Sequence, residues 1–153
     1  VVFTYETTPW KPDKRQKKLW DAVDGGQIVE FAKKRNPFNH PCVMYKKSAV
    51  MQAGGYQDFY LLEDYYLWVR MLLQGMKGYN IQKTLLLMRT GNGLYNRRSG
   101  RKYVASQRKL FSYMYRTGFI NVRQYFIAIF VRGMVSLIPN QWRRFIYQHF
   151  LRK

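Results

Sequence analysis

The sequence has few of the side chains that build disulfide frameworks or metal sites. It contains one cysteine, Cys42, and two histidines, His40 and His149, which lie far apart in the chain. A single cysteine excludes an internal disulfide and a cysteine-rich zinc site. The separation of the histidines gives no metal-ligand spacing. We therefore predict no metal site built from the residues of this chain, and the lone cysteine fits a reducing compartment.

Long hydrophobic runs are also missing. The longest apolar stretch, residues 125–138, is interrupted by Arg132 and falls short of the roughly 20 residues that a membrane-spanning helix needs. We expect no transmembrane segment. No signal peptide is visible, and the chain begins with Val1 instead of methionine, so we expect the start to be a fragment boundary.

Negative charge is absent from the second half of the chain. All eight acidic residues lie in residues 1–64, whereas residues 65–153 contain seventeen Lys and Arg and no Asp or Glu. The net charge of +19 implies an anionic partner: a phosphate-bearing substrate, nucleic acid or an acidic membrane surface. Glu63 and Asp64 are the last acidic residues before this basic half, so we expect the Asp64 carboxylate to stay ionised.

What the sequence does contain is enough apolar surface for one folded domain, or part of one. Apolar residues make up 47% of the 153 residues and aromatic residues 18%, which is typical of a chain with a packed core. The patterning mixes strands and helices and predicts an α/β fold. We predict strands at 1–5, 42–45 (buried) and 78–88, helices at 27–34, 48–53, 64–75, 102–117, 122–137 and 141–153, and loops at 7–18 and 89–100.

The stretch from Gly54 to Gly75 is the most informative. Glu63 and Asp64 stand at the start of a helix whose apolar positions share one face, and Gly75 provides a natural helix stop. Asp64 is therefore predicted at or near the N-cap, where the helix dipole favours an ionised carboxylate. It is either simply a cap, with Glu63 a solvated neighbour, or a general base. The apolar positions of the face are Leu67, Trp68, Met71 and Leu72.

Two loops offer further candidate site residues. Pro37 and Pro41 hold an extended, turning backbone around His40, which either hydrogen-bonds to the loop or contacts a substrate. The next helix is predicted to begin at Ser48 as N-cap. The loop at 89–100 contains three arginines, which suit bidentate binding of phosphate or are simply solvated.

Four motifs, in this order, resemble the C-terminal half of an inverting family 2 glycosyltransferase of the GT-A type. They are RNPFNHPCVMYKKS (35–48), GGY (54–56), EDYYLWVRMLLQG (63–75) and LLLMR (85–89). The resemblance is with the bacterial enzymes that build cell-surface polysaccharides. It implies a partial GT-A (nucleotide-diphospho-sugar transferase-like) domain over residues 1–100, followed by a basic amphipathic helical tail over residues 101–153.

The resemblance implies transfer of a sugar from a nucleotide-sugar donor to a hydroxyl of a glycan or lipid-linked acceptor, with inversion. Asp64 would be the general base that takes the proton of this hydroxyl. The other site residues that the resemblance implies are Glu63, which would orient the site, Asn39, His40, Gly54 and Gly55, which would line the sugar pocket, and Arg97 and Arg98, which would approach the diphosphate.

The chain departs from the family at one motif. Family members have an Asp-x-Asp motif that holds a divalent metal, Mn or Mg, against the diphosphate, and this motif does not occur in residues 1–153. The complete enzyme would need that metal, but its ligands are not in this chain. We therefore expect the chain to be the acceptor-side half of the enzyme and to be inactive alone. It would be cytoplasmic, or peripheral at the inner face of the cell membrane.

A non-enzymatic alternative comes from charge. A basic, aromatic-rich chain is also typical of a binding module for nucleic acid or membrane. The sequence contains no RNA-recognition motif, no zinc-finger spacing and no GXXG loop, so we expect no nucleic-acid partner. An anionic membrane surface is compatible with both hypotheses, because the predicted tail helices mix aromatic and aliphatic residues with Arg and Lys.

Overall fold

The computed structural model describes residues 2–4, 7–8, 24–82, 86–87 and 100–137. The chain forms two compact units, and residues 60–62 belong to the second of them. The first unit contains the strands β1 (Val2–Thr4), β2 (Thr7–Thr8), β3 (Val43–Met44), β4 (Gly78–Asn80) and β5 (Leu86–Leu87) and the helices α1 (Gly25–Ala32), α2 (Lys47–Gln52) and α3 (Glu63–Leu73). The second unit contains α4 (Arg101–Arg116) and α5 (Val122–Leu137).

Two short sheets form the strand layer of the first unit. β1 is central in a three-stranded sheet, antiparallel to β3, with Phe3 opposite Met44, and parallel to β4, with Phe3 opposite Tyr79. β2 and β5 pair in parallel, with Thr7 opposite Leu86. The predicted strands near residues 1–5 and 78–88 are confirmed, and β2 lies at the start of a stretch that we predicted to be loop.

Helix α3 is the core of the first unit. Its predicted apolar face is confirmed: Leu67 and Trp68 are completely buried, and Met71 and Leu72 are nearly so. The helix ends at Leu73, and the predicted stop, Gly75, lies in the cap that follows, with φ +76°. The Gly75 N–H donates to the Leu72 carbonyl and the Met76 N–H to the Met71 carbonyl, the paired bonds of a Schellman cap.

Two local predictions about the neighbouring segments are wrong. Ser48 is not an N-cap, because α2 begins one residue earlier and its cap is Lys46, which makes no side-chain capping bond. The stretch 42–45 is not a buried strand, since Met44 is 57% exposed. The backbone folds into a 3-10 turn, His40–Cys42, before only two residues enter β3. The residues have strand propensity, but Cys42, the first residue of the predicted strand, belongs to the 3-10 turn.

The second unit contains an antiparallel pair of helices. Both helices are confirmed within one residue of their predicted bounds. Gly118, with φ +71°, follows the end of α4 as expected. A reciprocal capping box begins α5: the Gln124 N–H donates to the Asn121 side chain, and the Asn121 N–H donates to the Gln124 side chain.

Several predictions lie outside the described residues. No helix in the described part of the chain is long and apolar enough to cross a membrane. The segments beyond description include most of the predicted loop at 7–18, the loop at 89–99 with Arg97 and Arg98, and the last predicted helix at 141–153.

Candidate functional site

The carboxylate of Asp64 lies at the N-terminus of α3, half-buried, as the second residue of the helix. One oxygen, Oδ1, accepts a hydrogen bond from the Tyr65 backbone N–H at 2.7 Å. The other, Oδ2, accepts one from the Asn36 side-chain amide at 2.8 Å. Each carboxylate oxygen can accept more than one hydrogen bond, so both retain capacity for a further donor. The first turn of a helix also favours negative charge there.

Asn36 is fixed by the loop in which it lies. Its side-chain oxygen accepts the Phe38 backbone N–H at 3.3 Å, closing a turn around Pro37. This leaves the amide nitrogen to donate to Asp64. The Pro37 carbonyl in turn accepts the Asn80 side-chain amide at 3.3 Å. This bond links the loop to β4. It thereby helps to fix the position of the Asn36 amide, which donates to Asp64.

Close packing holds the same loop against α3. The Phe38 ring lies so near Gly78 that a Cβ on that residue would come within 2.4 Å of the ring. Phe38 also meets the buried Trp68 ring edge to face, with centroids 5.7 Å apart. A glycine in β4 and an aromatic residue in α3 thus set the position of the loop that carries Asn36.

Burial raises the pKa of the Asp64 carboxyl above its ordinary value, because desolvation disfavours the charged form. The hydrogen bonds from Tyr65 and Asn36 and the charge of His40 act in the opposite direction, and Glu63 adds to the rise. Burial is thus the largest influence on the pKa of Asp64, and the expectation that the carboxylate stays ionised remains a prediction. A carboxylate with a raised pKa is a stronger base than an exposed one, and it remains held in place by two donors.

Aromatic and imidazole groups lie around the carboxylates. The Tyr56 hydroxyl is 3.5 Å from His40 Nδ1, and the two rings meet edge to face at 5.8 Å. Burial, a hydrogen bond with Tyr45 and the negative charges of Asp64 and Glu63 all raise the pKa of the Tyr56 hydroxyl. Tyr56 therefore keeps its proton at neutral pH and remains available as a hydrogen-bond donor. Polar groups from the loop and from the turn thus gather around the two carboxylates.

The glycine pair has a clear structural role. Gly54 and Gly55 both have positive φ, +83° and +65°, which side chains with a Cβ rarely adopt. The buried guanidinium of Arg70 donates to the Ala53 carbonyl at 2.5 Å and to the Gly55 carbonyl at 2.6 Å. Arg70 thereby fixes the turn that leads directly to Tyr56. The predicted contact of this backbone with a sugar stays a prediction.

The sequence-based site is thus brought together only in part. Asp64 and His40 are near enough for the charge of one to act on the other, and Glu63, exposed, lies beside them. Asn39 is exposed, and its carbonyl accepts the Cys42 N–H at the start of the 3-10 turn. Arg97 and Arg98 lie outside the described residues.

Sequence reasoning missed three residues: Asn36, Tyr45 and Tyr56. Asn36 was quoted only as part of the motif at 35–48, although an Asn-Pro pair also predicts a side-chain-bonded turn. Tyr56 was noted only as the end of the GGY motif. Asn36 and Tyr56 approach Asp64, and Tyr45 bonds to Tyr56, through contacts between distant parts of the chain, which the sequence pattern alone does not contain.

A metal site does not form among the described residues. No group of three His, Cys, Asp or Glu side chains in this part of the chain lies close enough together to hold an ion. The described residues therefore provide no ligand set for the divalent metal that the resemblance implies.

The curated proteins that this chain resembles share one class, since all three described below are named as glycosyltransferases. A UDP-Gal:alpha-D-GlcNAc-diphosphoundecaprenol beta-1,3-galactosyltransferase of Escherichia coli is 40% identical over 126 residues, which cover 82% of this chain and 46% of that protein. The chain is similar to bacterial glycosyltransferases. An uncharacterized glycosyltransferase of Haemophilus influenzae is 39% identical over 83% of this chain and 47% of its own length. The amylovoran biosynthesis glycosyltransferase AmsE of Erwinia amylovora is 35% identical over 88% and 50%.

The extent of these matches limits what they establish. The chain spans about half the length of the curated relatives it matches. No family model matches the chain, and no solved structure matches it. The similarity to glycosyltransferases is therefore shown.

Proposed function

We propose that this chain is the acceptor-side part of an inverting family 2 glycosyltransferase of the GT-A type, with Asp64 as its general base. The observation that carries the proposal is the geometry of Asp64: a half-buried carboxylate with raised pKa, held at a helix N-terminus by Asn36 and the Tyr65 N–H. The similarity to curated glycosyltransferases supports the reaction class.

The proposed step is a single displacement. The acceptor hydroxyl oxygen forms a bond to the anomeric carbon of the donor sugar while the bond from that carbon to the diphosphate oxygen breaks. The nucleoside diphosphate leaves with the electron pair, and the hydroxyl proton passes to Asp64. A carboxylate with a raised pKa suits this role, because proton transfer is most effective when the pKa of the base approaches the working pH.

The other site residues have supporting roles in this proposal. Asn36 is a positioning residue, because its amide holds Oδ2 of Asp64 and leaves the remaining lone pairs for the acceptor hydroxyl. Tyr56 and His40 would donate or accept hydrogen bonds at the sugar. Glu63, Asn39 and the turn at residues 54–55 would complete the acceptor side.

From the relatives we propose only the chemical classes of the donor and the acceptor. A nucleotide-sugar donor and a glycan or lipid-linked acceptor are the classes we propose, since the Escherichia coli relative is named for a UDP-galactose donor and a diphosphoundecaprenol-linked acceptor. Because residues 1–153 contain no Asp-x-Asp, we propose that the donor diphosphate and its divalent metal are bound by residues outside this chain and that the chain alone transfers no sugar.

The test compares Asp64→Asn with Asp58→Asn in the product of the intact gene, measuring transfer from a panel of nucleotide sugars with Mn²⁺ or Mg²⁺. Asn is nearly the same size as Asp but cannot take the proton, so we expect a fall in kcat of about a hundredfold or more. Asp58 is exposed, and its variant should keep full activity. Equal activity of Asp64→Asn and wild type would reduce Asp64 to a helix cap.

The pH profile tests the positioning role of Asn36. Only the ionised base accepts a proton, so kcat/KM should fall as the pH drops through the pKa of Asp64, above the usual range for aspartate. The Asn36 bond lowers that pKa. Asn36→Ala should therefore move the acid limb of the profile to higher pH, with Gln57→Ala as a matched exposed control. A reduced rate with an unmoved limb would show that Asn36 acts only on the fold.

A further inference from the structure

The two faces of α5 are arranged in the opposite way to those of an ordinary soluble helix. The outer face is apolar: Phe130 is 69% exposed, Phe126 64%, Ile127 52%, Val122 51% and Val131 44%. These positions recur at helical spacing on one side of α5. Arg123 is also exposed there.

The side of α5 that packs on α4 is the one that contains polar groups. The Tyr125 hydroxyl lies 3.2 Å from the Ser112 hydroxyl. The Arg132 guanidinium stacks 4.0 Å from the centroid of the Phe111 ring. A helix in water normally turns its apolar side inward and its polar side outward, so an outer face of two Phe, one Ile and two Val calls for a partner.

Charge in the same unit indicates what that partner is. Residues 100–137 contain seven Lys and Arg and no Asp or Glu. Five of these lie exposed along α4. They are Arg101, Lys102, Arg108, Lys109 and Arg116. Exposed apolar side chains on α5, together with exposed basic side chains on α4, complement a surface that is apolar inside and negatively charged outside, which describes an anionic lipid bilayer.

Nucleic acid fits these residues less well. Basic side chains would contact phosphates, but the aliphatic members of the outer face, Val122, Ile127 and Val131, neither stack on bases nor hydrogen-bond to them. A bilayer accepts aliphatic and aromatic side chains alike.

We propose that the α4–α5 unit binds the surface of anionic membranes, with Phe126, Ile127 and Phe130 inserted below the headgroups and the basic residues of α4 at the phosphates. The helix lies in the plane of the surface. This interaction is independent of the sugar-transfer step, and it would bring the chain to any acceptor that is anchored in lipid.

The experiment is co-sedimentation of the 153-residue chain with vesicles of phosphatidylcholine alone or with phosphatidylglycerol added. We expect binding to the anionic vesicles, little binding to the neutral ones, and weaker binding at high salt, because each Lys or Arg contributes about 1 kcal/mol near such a surface, about fivefold in affinity. The double variant Phe126→Ser/Phe130→Ser should lose affinity by about tenfold or more, since binding scales with the apolar area inserted.

The matched control is Met51→Ser in α2. Met51 is as exposed as Phe126, at 64%, but lies in the other unit, and its variant should bind like wild type. Circular dichroism of each variant verifies folding, and the helical signal should be unchanged, because the substituted side chains lie outside the core.

A second readout follows insertion directly. An environment-sensitive fluorophore on Ile127→Cys, in a Cys42→Ala background, should shift to the blue with anionic vesicles. Equal binding to neutral vesicles, or unchanged binding of the double variant, would overturn the proposal. So would a fluorophore shift without lipid that disappears on dilution, since a second copy of the chain would then cover the face. All these readouts are made without a sugar donor, so they fail or succeed independently of the proposed enzyme activity.

Discussion

The helices α3 and α5 use apolar side chains in opposite ways. In α3, eleven residues long, seven are buried, and the N-terminal turn presents two carboxylates. In α5, sixteen residues long, the large side chains Phe126 and Phe130 are exposed, and Ala128 is buried.

This difference teaches what each helix can do. A helix held on most of its surface by packing keeps its first turn in one position, which a general base requires. A helix with an exposed apolar face can bind a second surface, because removing that face from water is favourable. In the two proposals above, the first unit would therefore provide the chemistry and the second the membrane contact, although both helices look amphipathic in sequence.

Trp68 and Phe130 give the largest expected contrast. Trp68→Ala removes a completely buried ring and should lower the free energy of unfolding by about 3–5 kcal/mol. Phe130→Ala removes an exposed ring and should change it by less than about 0.5 kcal/mol. Urea unfolding followed by circular dichroism, fitted separately for the two units, measures both. A large loss for Phe130→Ala would mean that its face is covered within the chain.

Two arginines that lie over aromatic rings sharpen the comparison. Arg70 is 4.5 Å from the Tyr66 ring centroid and also holds the Ala53 and Gly55 carbonyls. Arg70→Met should cost about 2–4 kcal/mol, since two carbonyls lose a charged donor. Arg132→Met should cost below about 1 kcal/mol, because methionine retains much of the contact with the Phe111 ring. Urea unfolding of both variants measures the two losses of unfolding free energy. Equal losses would contradict the different roles given to Arg70 and Arg132.

Two glycines give the smallest effect, with opposite signs. Gly75 has φ +76° in the cap of α3, so Gly75→Ala should destabilise by about 1 kcal/mol through backbone strain. Gly133 lies within α5, and an added Cβ would meet nothing within 4 Å. Gly133→Ala should stabilise by about 0.5–1 kcal/mol, because alanine is the better helix former. Thermal unfolding of the two variants would resolve the signs, and a lower Tm for Gly133→Ala would indicate that its surroundings are closer than described.

Sequence patterning predicted the elements whose signals are local. The apolar face of α3, its glycine stop and the bounds of α4 and α5 depend on residues within a few positions of one another, where helical spacing and capping act directly. Residues 42–45 were misjudged because strand propensity depends on what the strand packs against. Met44 is 57% exposed, so its side chain lies outside the core in spite of its strand-forming neighbours.

The proposed site contains one residue that the sequence analysis named, Asp64, and one that it did not, Asn36. Asp64 was found because an acidic pair before an apolar helix is a local signal. Asn36 was not, since it reaches Asp64 across 28 positions of sequence. Its role depends on how Phe38 packs against Gly78 and Trp68, contacts that no periodicity in the chain encodes.

The sequence by itself determined the charge asymmetry of the chain and its helices, because composition, spacing and capping are properties of neighbouring residues. Only the tertiary structure decided that burial, more than positive charge, sets the pKa of Asp64, and that α5 turns its apolar face outward. Both are consequences of which surfaces lose water on folding, and that depends on contacts between residues far apart in the chain.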